Sequence, residues 1–577
     1  MNLSKPPFSV VTREVVPSRW DLLAAVMVLG FLVFLGETST ALLEPLAKLE
    51  AAPVTLDPSQ LPGYAARTTL RMLAALVLSL LFTFTYATLA AKSRRAELIL
   101  VPLLDILQSV PILGFISVTV VFFMSLAPGR VLGAELAAIF AIFTSQAWNM
   151  AFSFYQSLRT VPADLIEASR SLRMSAWMRF WRLEAPFAIP GLVWNMMMSM
   201  SGGWFFVVAS EAISVGSTTV TLPGVGSYIA LAIEKRDLGA ILWAIGAMAI
   251  VILVYDQLLF RPLVAWADRF RAEPQVGAEP PTSWVLTVLR RSRLVAAGET
   301  LVRRLYLSSA RALKGLPRPQ LPAQAPVLSR SVQDRLWTLS LLLIGSYLVW
   351  RIARYIGPAL HWRETGYVML LSLATLVRVV VLIALASVIW VPVGVWIGLR
   401  PEIARFAQPI AQFLAAFPAN LFFPLAVFMI VTFRLNPDVF LSPLMILGTQ
   451  WYILFNVIAG ASVMPGDIRD VGTNLGVKGW LWWRKVALPA VYPYYLTGAI
   501  TASGGSFNAS IVAESVSWGD TKVLAHGIGA YIAEATAAGD FQKIVLGVSM
   551  MSLFVVILNR LFWRPLYQRA ERRFRLN

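Results

Sequence analysis

Cysteine is missing from all 577 residues, which excludes disulfides, Fe–S clusters and thiolate metal sites. Histidine occurs only as His361 and His526, so no imidazole-rich metal centre is expected. Charge is scarce as well: 14% of the residues are Asp, Glu, Lys or Arg, against roughly 25% in soluble domains. No Gly-Lys dipeptide occurs, so the phosphate-cradling Gly-x-x-x-x-Gly-Lys-Ser/Thr loop is absent. The first twenty residues lack an apolar run ending in small residues, so no cleaved signal peptide is expected.

What fills the chain is apolar side chain, 58% of it, gathered in blocks with the charges between them. A spanning helix takes about 20 such residues. The blocks fall at 22–35, 72–91, 98–126, 132–152, 187–208 and 238–260, then at 336–350, 379–399, 406–431, 440–459, 490–512 and 544–562. This pattern predicts an all-α integral membrane protein of about 12 transmembrane helices, six plus six. Pro111 and Pro418 interrupt the third block of each set, and the carbonyls they free require partners from neighbouring helices.

Most of the 49 lysines and arginines lie in the terminal segments, the loops after the fourth blocks and the central linker. By the positive-inside rule both termini are then cytoplasmic. The formal charge of +18 reads as topology, with anionic membrane lipids rather than nucleic acid as its partner. Segments 1–262 and 336–577 form the two membrane domains. Between them, 263–335 is rich in proline and arginine, with Trp284, Leu286, Val288 and Leu289 among the arginines. It reads as a cytoplasmic tether carrying a basic amphipathic helix on the membrane surface.

An internal repeat organises everything else. An offset of 303 carries Pro162 to Pro465, Trp177 to Trp480, Pro186 to Pro489, Pro190 to Pro493, Gly202 to Gly505 and Glu211 to Glu514. It also lays Gly224-Val-Gly226-Ser-Tyr228 on Gly527-Ile-Gly529-Ala-Tyr531, and Arg261-Pro262 on Arg564-Pro565. An offset of 307 relates Arg71 to Arg378 and Pro111 to Pro418. Six spans return the chain to the same side, so the repeat is parallel, unlike the inverted repeats of many transporters. Two like halves about a pseudo-two-fold axis place a pathway at their interface.

Each half carries a polar loop between its fourth and fifth spans. The first contains Glu167-Ala168-Ser169, Arg173 and Leu183-Glu184-Ala185-Pro186; the second contains Asp470-Val-Gly472, Gly476 and Leu488-Pro489. These residues resemble the signature loop of ATP-binding-cassette (ABC) importer permeases, Glu-Ala-Ala, three residues, Gly, then a Leu-Pro ending. Within that family the chain looks most like duplicated permeases of the nitrate/sulfonate/taurine group, in a type I-like fold. The resemblance implies that the loops are coupling helices seated on ATPase subunits, two copies of them, with Glu167, Ala168, Ser169, Arg173, Asp470, Gly472 and Gly476 at the contact. It also implies that ATP and Mg are bound by that partner, with no cofactor or metal in this chain and no enzymatic site of its own. A periplasmic or extracellular binding protein would supply a small anion, and the site of action would be the bacterial inner membrane. Arg173 stands where the family has Gly, and a positive φ is costly for arginine, which predicts a different turn and unequal ATPase contacts in the two loops.

Glu211, Glu514, Arg71 and Arg378 lie one of each per half within or beside the spans. An ionisable group in a bilayer has a partner or a task. Arg71–Glu211 and Arg378–Glu514 ion pairs are expected, with a path for an anionic substrate as the other reading. Ser201, Trp204, Ser503, Gly504 and above all Asn508, on the fifth spans, are the pathway candidates. An ion-coupled secondary transporter is the alternative function. It would place charged relay residues in mid-span and leave the repeated loop without a purpose.

Overall fold

The computed structural model describes residues 53–109, 111–215, 218–270, 282–292, 330–357, 362–462 and 474–574, with shorter pieces around 20–27, 295–308 and 464–472. The chain divides into two compact units: Met1–Ala41 with Val161–Pro190 and Tyr255–Ala325, and Leu42–Thr160 with Gly191–Val254 and Pro326–Asn577. The borders between repeats and those between compact units therefore differ. The larger unit holds the bulk of the spans from both halves.

Among the described residues, seven helices are long and apolar enough to cross a membrane, and two bent pairs bring the number to nine. One bent pair joins Pro401–Ala416 to Ala419–Phe433 at 74°, where Pro418 stops the first helix. The other joins Pro437–Leu447 to Gln450–Ser462 at 44°. Of the remaining three blocks in the sequence, 98–126 forms Arg94–Ser109 and Ile112–Leu126, split at Pro111, and 490–512 lies in the unbroken helix Leu488–Ala513. Half of the block at 22–35 falls outside the described residues.

The repeat governs fine structure as well as span order. Among the described residues there are four π-helical turns, Phe180–Glu184, Asp256–Phe260, Trp483–Ala487 and Leu558–Trp563. Each ends two residues before a proline: Pro186, Pro262, Pro489 and Pro565. A proline ring collides with the carbonyl four residues back and donates no hydrogen bond to it. A widened turn shifts that carbonyl out of the way without ending the helix. After each fifth span comes a short antiparallel hairpin, Ala212–Val215 with Thr218–Thr221 and Ser515–Trp518 with Thr521–Leu524. These four-residue strands add two small ribbons to a helical protein, and the block reading of the sequence has no place for them.

Helix ends also match across the offset. Arg236 and Gly539, 303 residues apart, both take left-handed φ, +56° and +70°. Behind them Asp237 N donates to Ala232 O and Asp540 N to Ala535 O, each at 2.9 Å, the six-residue closure of a Schellman cap. Arg173 and Gly476 do the same at φ +50° and +65°, with Met174 N donating to Ser169 O at 3.0 Å and Val477 N to Gly472 O at 2.9 Å. The expectation that Arg173 turns its loop differently is thus corrected. The cap geometry is imposed by the surrounding chain, and arginine absorbs the strain that glycine avoids.

Tight approach between helices of the larger unit rests on glycine. A Cβ on Gly498 would meet the Tyr452 carbonyl, and one on Gly398 the Ile458 carbonyl, so the fourth span of the second half sits backbone to backbone against its second and fifth spans. Small residues serve this purpose in membranes, where apolar side chains gain nothing by leaving lipid.

In the smaller unit, the helix Trp284–Arg291 buries Val285 and Val288 and packs on the helix Arg261–Ala267. Ser292 Oγ donates to Asp21 Oδ1 at 3.0 Å, and the Arg291 guanidinium stacks 5.2 Å from the Trp20 ring centre. Its two inward valines are thus covered by protein. Leu286 and Leu289 are half-buried, and Trp284 and Arg290 face outward. Most of the remaining linker lies outside the described residues.

Gly539→Ala places a Cβ at left-handed φ and is expected to destabilise the fold by about 1 kcal/mol, with Gly539→Asn costing less; thermal unfolding of the purified chain measures both.

Candidate functional site

A buried ionic cluster locks each half. In the first, the Arg71 Nη1 lies 2.6 Å from Glu211 Oε1, and Nε lies 2.6 Å from Glu135 Oε2. Its Nη2 completes a fork on Glu135 Oε1 at 2.6 Å. Glu211 takes two further donors, Thr68 Oγ1 at 2.7 Å and Gly226 N at 2.7 Å, while Thr68 Oγ1 accepts from Val225 N at 3.1 Å. A Cβ on Gly224 would fall on the Glu211 carboxylate, which is why the repeated Gly-x-Gly stands there. The arginine side chain is 3% exposed and that of Glu211 0%. Breaking such a pair leaves an uncompensated buried charge, at roughly 3–5 kcal/mol.

The second half repeats the plan with other parts. Arg378 Nη1 is 3.0 Å from Glu514 Oε1 and Nη2 is 2.6 Å from Asp438 Oδ1. Glu514 accepts from Thr375 Oγ1 at 2.8 Å and from Gly529 N at 2.8 Å, and Ile528 N donates to Thr375 Oγ1 at 3.0 Å. Asp438 also holds the turn of His526, whose N lies 2.7 Å from Oδ1 and whose Nδ1 lies 2.9 Å from Oδ2. Where the second half has His526, the first has Pro223, and its carbonyl accepts from Arg71 Nη1 at 3.1 Å. The second cluster is the more open one: the Arg378 and Asp438 side chains are 15% and 36% exposed.

Glu135 and Asp438 are the members that span-by-span reading of the sequence misses. They lie 303 residues apart, so the repeat itself carried the signal. The clusters tie the second, fourth and fifth spans of each half to the turn after the hairpin. Both arginines are spent on carboxylates, and neither lines the cavity described next.

That cavity, of about 260 Å³, lies in the larger unit and is lined by both halves. Asn508, Ser201, Ser503 and Gly504 contribute to its wall. Trp204 does not: it is 1% exposed, among the most buried side chains of the protein, and is corrected to a packing residue. Asn508 does more than line. Its Oδ1 accepts from Ile112 N at 2.6 Å, the first helical N–H after the Pro111 break. At the matching break, Asn420 Nδ2 donates to Phe205 O at 3.1 Å, and Phe205 is the position 303 residues before Asn508. Ser201 Oγ donates to Ala415 O, another contact across the halves. Among the described residues lining the cavity, none is charged. Among the described residues no group of three His, Asp or Glu side chains could hold a metal ion.

The first loop forms the helix Ala163–Ser171, with Asp164 in its first turn, where a carboxylate suits the helix dipole. Glu167, Ala168 and Arg173 are exposed, while Ser169 is buried and bonds its Oγ to Ile166 O at 2.6 Å. In the second loop Gly472 is buried and Gly476 exposed, and Asp470 lies outside the described residues. His361 likewise falls outside them. Each loop also exposes an equivalent leucine in a polar stretch, Leu172 at 72% and Leu475 at 74%.

Two repeated helical halves, a cavity lined by both with no charged side chain among its described lining residues, and a repeated polar loop define a polytopic membrane transport subunit. The family described as the binding-protein-dependent transport system inner membrane component matches residues 79–261 and 390–575, and the chain belongs to it. Among its relatives, the bicarbonate transport system permease protein CmpB of Synechococcus elongatus is 30% identical over 189 residues, 33% of this chain and 65% of that protein. The nitrate import permease protein NrtB of Leptolyngbya laminosa is 28% identical over 188 residues, 33% of this chain and 64% of the other. The glycine betaine/proline betaine transport system permease protein ProW of Escherichia coli is 29% identical over 182 residues, 32% of this chain and 47% of the other. The chain thus spans a little under two thirds of the first two relatives and about half of the third.

Arg71→Ala, which strands two buried carboxylates, is expected to lower stability by several kcal/mol and by more than Arg378→Ala, whose cluster reaches solvent; parallel thermal melts of the two variants rank them.

Proposed function

We propose that the chain is the permease of an ABC importer of the inner membrane, moving a small anion such as nitrate, a sulfonate or taurine between its two halves. Two ATPase subunits dock on its cytoplasmic loops and supply the energy, so the chain itself hydrolyses nothing. A soluble binding protein on the outer face delivers the substrate, and both termini lie in the cytoplasm. The bicarbonate and nitrate relatives support the anion. The lack of charged side chains in the described cavity wall argues against the alternative, because an ion-coupled carrier needs a titratable or cation-binding group on its route.

The observation that carries the reading is the pair of exposed leucines. An apolar side chain about three-quarters exposed, at the same place in two polar, identically closed loops, has nothing to gain from water and is suited to a groove on another protein. The left-handed closures at Arg173 and Gly476 present Leu172 and Leu475, each the residue just before its closure, in equivalent local geometry. Glu167, exposed on the helix that leads into Leu172, would flank that contact in the first loop.

Leu172→Asp and Leu475→Asp should each reduce recovery of the ATPase subunit with the affinity-purified chain by about tenfold or more, and the double variant should abolish it; undiminished recovery with the double variant would reject the docking assignment.

A further inference from the structure

The halves meet along two seams that the repeat makes equivalent, yet the seams are fastened differently. In the first, the fifth span of the first half lies against the third span of the second. Met197, Ser201 and Phe205, spaced by four and so on one face of their helix, are each bonded across it. Met197 Sδ accepts from Gln412 Nε2, Ser201 Oγ donates to Ala415 O, and Phe205 O accepts from Asn420 Nδ2 at 3.1 Å. In the second seam, the third span of the first half meets the fifth span of the second. The equivalent positions there are Ile500, Gly504 and Asn508. Isoleucine and glycine bring no side-chain atom that can bond, and of the three it is Asn508 that reaches across, to Ile112 N at 2.6 Å.

The cavity wall divides along the same line. The spans flanking the second seam give it Gln108, Thr144, Ser145, Asn149, Thr501 and Asn508, with Gln108 Nε2 donating to Asn149 Oδ1 at 2.5 Å. Those flanking the first give it Phe205, Phe206, Ala415, Phe417, Leu444 and Met445. Trp148 and Tyr452 run against this division, and the Ser201 hydroxyl is spent on Ala415. The repeat makes the contrast position by position: Gln108 stands where the second half has Ala415, and Asn508 where the first has Phe205. Gly504 faces open space, since a Cβ there would meet no neighbour within 4 Å. Polar side chains within a bilayer belong beside a wetted passage, whereas close apolar packing with bonds across it makes a joint that holds.

We propose that solute passes along the second seam alone, to one side of the pseudo-two-fold axis. Gln108, Asn149, Thr501 and Asn508 meet the solute, and Gly504 leaves it room. The first seam, fastened at Met197, Ser201 and Phe205, stays closed and serves as the joint about which the halves move. The inference rests on the permease reading and adds to it which of two equivalent interfaces is the route.

The chain has no cysteine, so single thiols can be introduced without removing any. Gly504→Cys and Gln108→Cys probe the second seam, and Ser201→Cys and Ala415→Cys probe the same places in the first. Each variant is purified with its ATPase subunit into lipid nanodiscs, and its rate of reaction with N-ethylmaleimide is measured with and without ATP and vanadate. Thiols in the second seam are expected to react about tenfold faster or more than their equivalents, and their rates alone should change when the nucleotide is trapped. Equal rates at equivalent positions, second-seam rates indifferent to the trap, or first-seam rates that shift as much overturn the proposal. Should Gln108→Cys or Ala415→Cys fail to fold, the comparison of Gly504→Cys with Ser201→Cys decides by itself. ATPase recovery on the same samples separates the two ideas: recovery without a difference between seams sinks this inference alone, and a difference in a chain that recovers no ATPase sinks the importer reading alone.

Discussion

Inside a bilayer an N–H or carbonyl released from its helix has no water to turn to, and much of this architecture follows from where helices are broken. Pro111 and Pro418 break the third span of each half. Beside each break a bond crosses to the other half: Asn508 Oδ1 accepts from Ile112 N, the N–H just after Pro111, and Asn420 Nδ2, just after Pro418, donates to Phe205 O inside the fifth span of the first half. The halves are therefore bonded to one another beside both breaks, at the wall of the cavity between them. An interface built this way cannot be smoothed into continuous lipid-facing helix without losing the cavity too.

The two repeats have kept their geometry while exchanging chemistry. Arginine serves where the other half has glycine at two left-handed caps. Glu135 is matched by Asp438, and a shorter carboxylate leaves room for His526 to join the second cluster. The asparagine and the backbone group that bridge the halves have changed places. Backbone closures and proline-directed π turns recur at matching positions, whereas the side chains that satisfy them differ. Conformation was constrained by the helices on either side, and composition was free wherever a substitute could make the same bond.

Much of this was legible in the residues. Apolar blocks and the 303-residue offset lead to a parallel-repeat membrane protein, and single charges repeated in spans lead to Arg71, Glu211, Arg378 and Glu514. Asn508 stood out because its counterpart is apolar. Asn420 did not, because nothing in the chain says that its role is the reverse of Asn508's. Glu135 and Asp438 sit where a span begins, and an acidic residue at such a place reads as wetted surface. Trp204 misled because its place on the fifth span does not reveal that the ring turns into the core, beside Gly203, which makes room for Met72 and Gln146. The hairpins are four-residue strands, too short for alternation to show.

The two ionic clasps differ in one respect with a physical corollary. Around Arg71 the charges are sealed; around Arg378 an aspartate and a histidine look out, the latter 80% exposed. Dissolved ions screen charges over about 8 Å at physiological strength, and they can approach only the second site. Brine therefore weakens one fastening and leaves its twin untouched, so the molecule's halves respond unequally to the saltiness of their surroundings.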